Sequence, residues 1–95
     1  MTNKDVYLQK LHAKLDEWNA EIDKLKAKAE KAAADSRIEY QKQIENMQEK
    51  HKKVEKKVKE VREAGGSAWE DLKSGVQSAW EVMEEAVKSA RSKFK

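Results

Sequence analysis

Two apolar stripes lie on either side of Gly65-Gly66, and they match position for position when the chain is folded back at that pair. Facing residue numbers keep a nearly constant sum, as an antiparallel hairpin requires. The pairs are Val61 with Trp69, Val58 with Leu72, Val54 with Val76, His51 with Trp80, Met47 with Met83, Ile44 with Val87, Tyr40 with Ala90 and Arg37 with Phe94. Each stripe advances in threes and fours, the spacing of one face of an α-helix. Glycine suits the turn because it reaches the left-handed backbone region that commonly ends helices. Small valines stand opposite tryptophan and leucine near the turn, so bulk meets room and dense packing is favoured. The expectation is an all-α fold with an antiparallel helical hairpin.

The second arm carries its own signature, an eleven-residue unit written twice and begun a third time: SAWEDLKSGVQ, SAWEVMEEAVK, SARSKFK. Its recurring apolar positions are Ala68, Trp69, Leu72 and Val76, then Ala79, Trp80, Met83 and Val87, then Ala90 and Phe94, with Arg91 interrupting the last copy. Eleven residues make three helical turns, so these positions, with Gly75 and Ala86, fall on one arc of about 130°. Ser67 and Glu70 have the spacing of a capping box, which marks a helix start. One helix is expected from about residue 67 to about residue 94.

Upstream, Thr2 and Asp5 have the same spacing, so a helix is expected to begin near residue 3. From there an unbroken heptad seam runs through Leu8, Leu11, Leu15, Trp18, Ile22 and Leu25 before thinning to Ala29 and Ala32. The seam then changes phase by one residue and resumes at Tyr40, Ile44, Met47, His51, Val54, Val58 and Val61. Alanine is the best helix former, and neither Gly nor Pro marks a turn, so one continuous helix from about 3 to about 64 is expected. The alternative is a three-helix bundle broken near Asp35-Ser36, with Ser36 and Glu39 as a further capping box.

A continuous first helix would leave Leu8, Leu11, Leu15, Trp18, Ile22 and Leu25 without an intrachain partner. Exposed stripes of that length are covered by association, so these six residues are the expected interface of a homodimer or higher oligomer, a coiled coil or helical bundle. Composition agrees with long helices sharing narrow seams: 38% of the 95 residues are hydrophobic, 41% are charged and there is no proline. A single helical domain, residues 1–95, is expected.

The chemistry-bearing residues are few. There is no cysteine, and the two histidines, His12 with Asp16 and His51 with Glu55, each offer two helix-spaced ligands where a structural zinc takes four. No metal site, cofactor, catalytic residue or enzymatic activity is expected, since no nucleophile elbow or phosphate-binding glycine loop occurs. Residues 50–59 carry six lysines, Lys50, Lys52, Lys53, Lys56, Lys57 and Lys59, against Glu55. That run offers phosphate or anionic lipid contacts, although it holds neither arginine nor a stacking aromatic, and nucleic-acid binding is a minor alternative. The period of residues 67–95 also suits an amphipathic helix on a lipid or other hydrophobic surface, an alternative disfavoured by the outward Glu70, Glu81, Glu84 and Glu85. The N-terminus has no apolar run resembling a signal peptide, so a cytoplasmic location is expected.

The stretches LDEWNAEIDKL and AWEDLKSGVQSAW, with the central IEYQKQIE, resemble small bacterial coiled-coil domain proteins of unknown function. The resemblance covers nearly the whole chain. It implies a stand-alone helical protein and brings no activity or site residues. The function expected is a non-enzymatic structural or protein-interaction module that self-associates, with an unidentified protein partner also in view.

Overall fold

The computed structural model describes residues 2–94 and is all-α, without strands among them. Met1 and Lys95, the ends of the expected domain, lie outside the described residues. Helix α1 (Asn3–Lys31) is followed by α2 (Ala34–Glu63), a single turn α3 (Ala68–Asp71) and α4 (Lys73–Lys93). α1 and α4 each pack along α2. The result is a rod of 52 × 20 × 19 Å.

The expected continuous helix over 3–64 is broken. Ala32 (φ −79°, ψ 154°) and Ala33 (φ −63°, ψ 155°) are both extended, so the chain turns between α1 and α2. The break precedes the Asp35-Ser36 alternative, and Ser36 lies inside α2, whose N-cap, Ala33, supplies no side-chain cap. The reason is tertiary. Ending a helix gives up about four intrahelical hydrogen bonds worth about 1 kcal/mol net each. Folding back buries Leu11, Leu15, Trp18, Ile22 and Leu25, each worth about 1.5–3 kcal/mol when fully covered. Burial outweighs local propensity. The Arg37 guanidinium donates to the Ala32 carbonyl at 3.3 Å and so helps to close the turn.

The same fold-back places the six residues expected at an oligomer interface. Leu11, Leu15, Trp18, Ile22 and Leu25 are buried within the single chain, and Leu8 packs partly buried against the same core. Within the single chain they pack into the core shared with α2 and α4, which covers the stripe that a continuous helix would leave open.

Two local expectations at the second turn are also revised. Gly66 adopts φ 56°, the left-handed conformation that needs glycine there. Ser67, however, makes no side-chain cap, and the Glu70 amide is taken by the Ser67 carbonyl at 3.1 Å. The arm over 67–94 is not one continuous helix, because regular helical hydrogen bonding is interrupted at Leu72 (φ −86°, ψ −12°), whose amide donates to the Trp69 carbonyl at 3.2 Å between α3 and α4. At the other end, Thr2 and Asp5 do form the capping box, with the Asp5 amide donating to Thr2 Oγ1 at 3.1 Å and the Thr2 amide to Asp5 Oδ2 at 3.3 Å.

The core contains Ile44, Met47, Val54, Val58 and Val61 from α2, with Trp69, Val76, Met83 and Val87 from the C-terminal arm. Tyr40, Leu72, Trp80 and Phe94 pack against it partly buried. Residues of two expected pairs make contacts that the pairing does not include. Phe94 stacks on Tyr40, ring centroids 4.0 Å apart. The His51 Nε2 lies 3.0 Å from the Leu15 carbonyl of α1, and Trp80 meets Trp18 of the same helix edge-on at 4.9 Å. A seam residue in a three-helix packing has two neighbours to choose from, and one-partner pairing cannot assign it.

Candidate functional site

Several recesses along the helix seams carry charged side chains, and two of them hold the residues that the sequence singles out, the histidines and the lysine run. The first lies between α1 and α2. His12, Asp16 and Asn19 from α1 and His51, Glu55 and Arg62 from α2 line a polar cleft of about 330 Å³. Both His/carboxylate pairs of the sequence thus share one cleft. His51 Nδ1 is 2.7 Å from Glu55 Oε1, and its Nε2 is engaged by Leu15, so both ring nitrogens already face an acceptor. Among the described residues no group of three or more His, Cys, Asp or Glu side chains could hold a metal ion. His51 is therefore a bridge between helices.

The second surface lies between α2 and α4. With Met47, Val54, Val58 and Val61 turned into the core, Lys50, Lys53, Lys56 and Lys57 fall on the adjoining flank of α2 and wall an open groove of about 500 Å³. With Val76, Met83 and Val87 turned inward, α4 offers Gly75, Ser78, Ala79 and Val82 as its floor. The groove continues past Lys50 and Val82 to Asn46, Ala86 and Ser89. Val82 is 47% exposed, one of few large apolar side chains so open. A Cβ on Gly75 would stand 3.7 Å from Lys57 Nζ and 3.8 Å from its Cδ, so the end of the lysine side chain, ammonium included, lies over the bare glycine.

Carboxylates answer these lysines incompletely. Glu49 lies 3.7 Å from both Lys50 and Lys53, and Glu60 lies 3.6 Å from Lys57. One carboxylate shared by two ammonium groups leaves the wall positive, and exposed pairs of this kind are weak. The walls hold no arginine and no aromatic ring.

Along the third contact, α1 with α3 and α4, charged pairs and rings meet around a smaller recess of about 180 Å³ lined by Lys14, Glu17, Glu21, Glu84, Lys88 and Arg91. The Arg91 guanidinium donates to Glu21 at 2.7 Å, which holds the Glu21 carboxyl below its ordinary range and raises Arg91. Tyr7 meets Trp69 at 5.6 Å, and the Lys73 ammonium sits 4.6 Å over the Trp69 ring. Burial pushes the Tyr7 hydroxyl up. The Trp80 indole N–H donates to Glu84 at 2.6 Å.

The lysine run was visible in the sequence, but its groove was not. Ala79 falls on the repeat's apolar arc and Val82 falls outside it, yet both line the same floor. The available signal was a second stripe on the last helix, Gly75, Ala79, Val82, Ala86 and Ser89, which also advances in threes and fours.

These features define an all-α helical protein in which, among the described residues, no helix is long and apolar enough to cross a membrane. No family model, curated protein or solved structure matches the chain.

Proposed function

We propose that this protein is a non-enzymatic protein-interaction module: a helical scaffold that presents the α2–α4 face to a partner. The observation that carries the reading is the open, lysine-walled groove with an exposed apolar floor. Clefts that pair an apolar surface with oriented charge are what helical domains offer to other chains. The titratable groups of the α1–α2 cleft are engaged by their neighbours, which favours a structural role for them.

Coiled-coil self-association ranks below this reading, because residues 8–25 supply a core rather than an outer seam. Lipid binding through the eleven-residue repeat ranks lower as well. Trp69, Val76, Met83 and Val87 would have to leave the core to reach a bilayer. Nucleic-acid binding through Lys50, Lys53, Lys56 and Lys57 lacks the arginines and stacking rings that usually accompany it.

A photo-crosslinking side chain placed at Val82, and separately at the exposed Ala13 on α1, tests the proposal in cells. Adducts from Val82 and not from Ala13 are expected. Equal adducts from both, or none from Val82, would overturn it. Sedimentation at roughly tens of micromolar should return a monomer.

A further inference from the structure

We infer that the α2–α4 groove receives an acidic amphipathic helix of a partner protein, which lies along α2 and α4 as a further helix. The inference rests on the interaction-module reading and adds the chemistry of the occupant.

Shape supports a helix. From Gly75 to Ser89 the groove runs along one face of α4 for about 20 Å at the ordinary rise per residue, close to four turns. Its floor rises no higher than valine, so an incoming helix can approach to the usual interaxial distance of about 8–10 Å. A flat bilayer would rest on the lysine ridge and miss the recessed Ala79.

Charge specifies the sign. Lys50, Lys53, Lys56 and Lys57 stand along one wall, against two carboxylates that line the groove, Glu60 near one end and Glu85 on the α4 side near the other. A helix with apolar residues toward Val82 and glutamates or aspartates toward α2 would cover the exposed valine and neutralise the wall. A phosphate backbone would answer the lysines but leave Val82 and Ala79 wet.

The test uses a fluorescein-labelled synthetic peptide of about 18 residues, which as a helix spans about 27 Å and covers the groove with about one turn to spare. It has leucine at heptad a and d positions and glutamate beside them, and binding to the full chain is followed by anisotropy. The same peptide with every glutamate replaced by glutamine should bind at least about tenfold more weakly. So should the glutamate peptide with the double variant Lys53→Glu/Lys57→Glu, or as salt rises from about 50 to about 300 mM. Val82→Asp should weaken binding to a similar degree. All three altered side chains lie on the surface, and unchanged thermal melts of the variants establish that the fold is intact. Equal binding of the two peptides, or wild-type affinity in the lysine variant, would overturn the inference. Preference for single-stranded DNA or phosphatidylglycerol vesicles over the acidic peptide would overturn it too. Adducts from Val82 in cells without peptide binding would overturn the acidic helix alone; loss of both would remove the docking face as well.

Discussion

The Lys4 ammonium donates a 2.7 Å hydrogen bond to the carbonyl of Ala64, and a second of 2.9 Å to the carbonyl of Arg62. A side chain from the first turn of α1 thus satisfies carbonyls at the C-terminal end of α2, where the helix dipole favours a cation. Lys28 repeats the device at 3.3 Å on the Phe94 carbonyl beyond α4.

Lys4→Met keeps the aliphatic stem and removes the donors. The expected loss is about 1 kcal/mol, the scale of a partly exposed charged cap. Urea unfolding should show a lower midpoint with an unchanged slope, and Tm should fall by about 4–8 °C. An unaltered midpoint would mean that water replaces the ammonium without penalty.

Ala33 offers the opposite opportunity. Its backbone has the extended geometry of an N-cap, yet it contributes no side-chain acceptor to the first turn of α2. Ala33→Asp should supply one and complement the dipole, raising stability by about 1 kcal/mol. Thermal melts beside wild type check this, and a lower Tm would show that the turn does not accommodate the carboxylate.

That position also explains what the sequence conceals. The seams around Trp18, Met47 and Met83 were legible because helical period reports burial directly. The Ala32-Ala33 turn was not, since it lacks a glycine, a proline or a capping side chain, and it forms only because two distant stripes meet. The phase shift after Ala32 was its one trace. His51 misled for a related reason: its seam position was correct, but a side chain between two helices can face either, and the Leu15 carbonyl claimed it. The groove was hidden because Gly75, Ala79 and Val82 are individually ordinary, and only the placement of α4 against α2 sets them beside the lysines.

Ile22 separates an internal core from an oligomer seam. It is 2% exposed within one chain, so Ile22→Ala should lose about 2–5 kcal/mol. The melting temperature should stay independent of protein concentration in both forms. A Tm that climbs with concentration would instead place Ile22 between chains.

Acid should weaken the fold through the Glu21–Arg91 contact. The 2.7 Å hydrogen bond from Arg91 is the main cause holding Glu21 below its ordinary range, against some opposition from burial. Glu39 is lowered by Lys93 at 2.8 Å, and Asp5 by its hydrogen bonds with Thr2. A carboxyl depressed in the folded state binds fewer protons there than in the unfolded chain. Its stabilisation is complete above the unfolded value, about 4.3 for glutamate, and disappears as pH falls through the folded value. Unfolding free energy should therefore decline from about pH 5 downward as these groups take up protons. Glu21→Gln removes one titrating partner, so its urea midpoint should lie below wild type at neutral pH and fall less on acidification. Parallel acid profiles for the two proteins would show that the Glu21–Arg91 contact contributes nothing to the pH dependence.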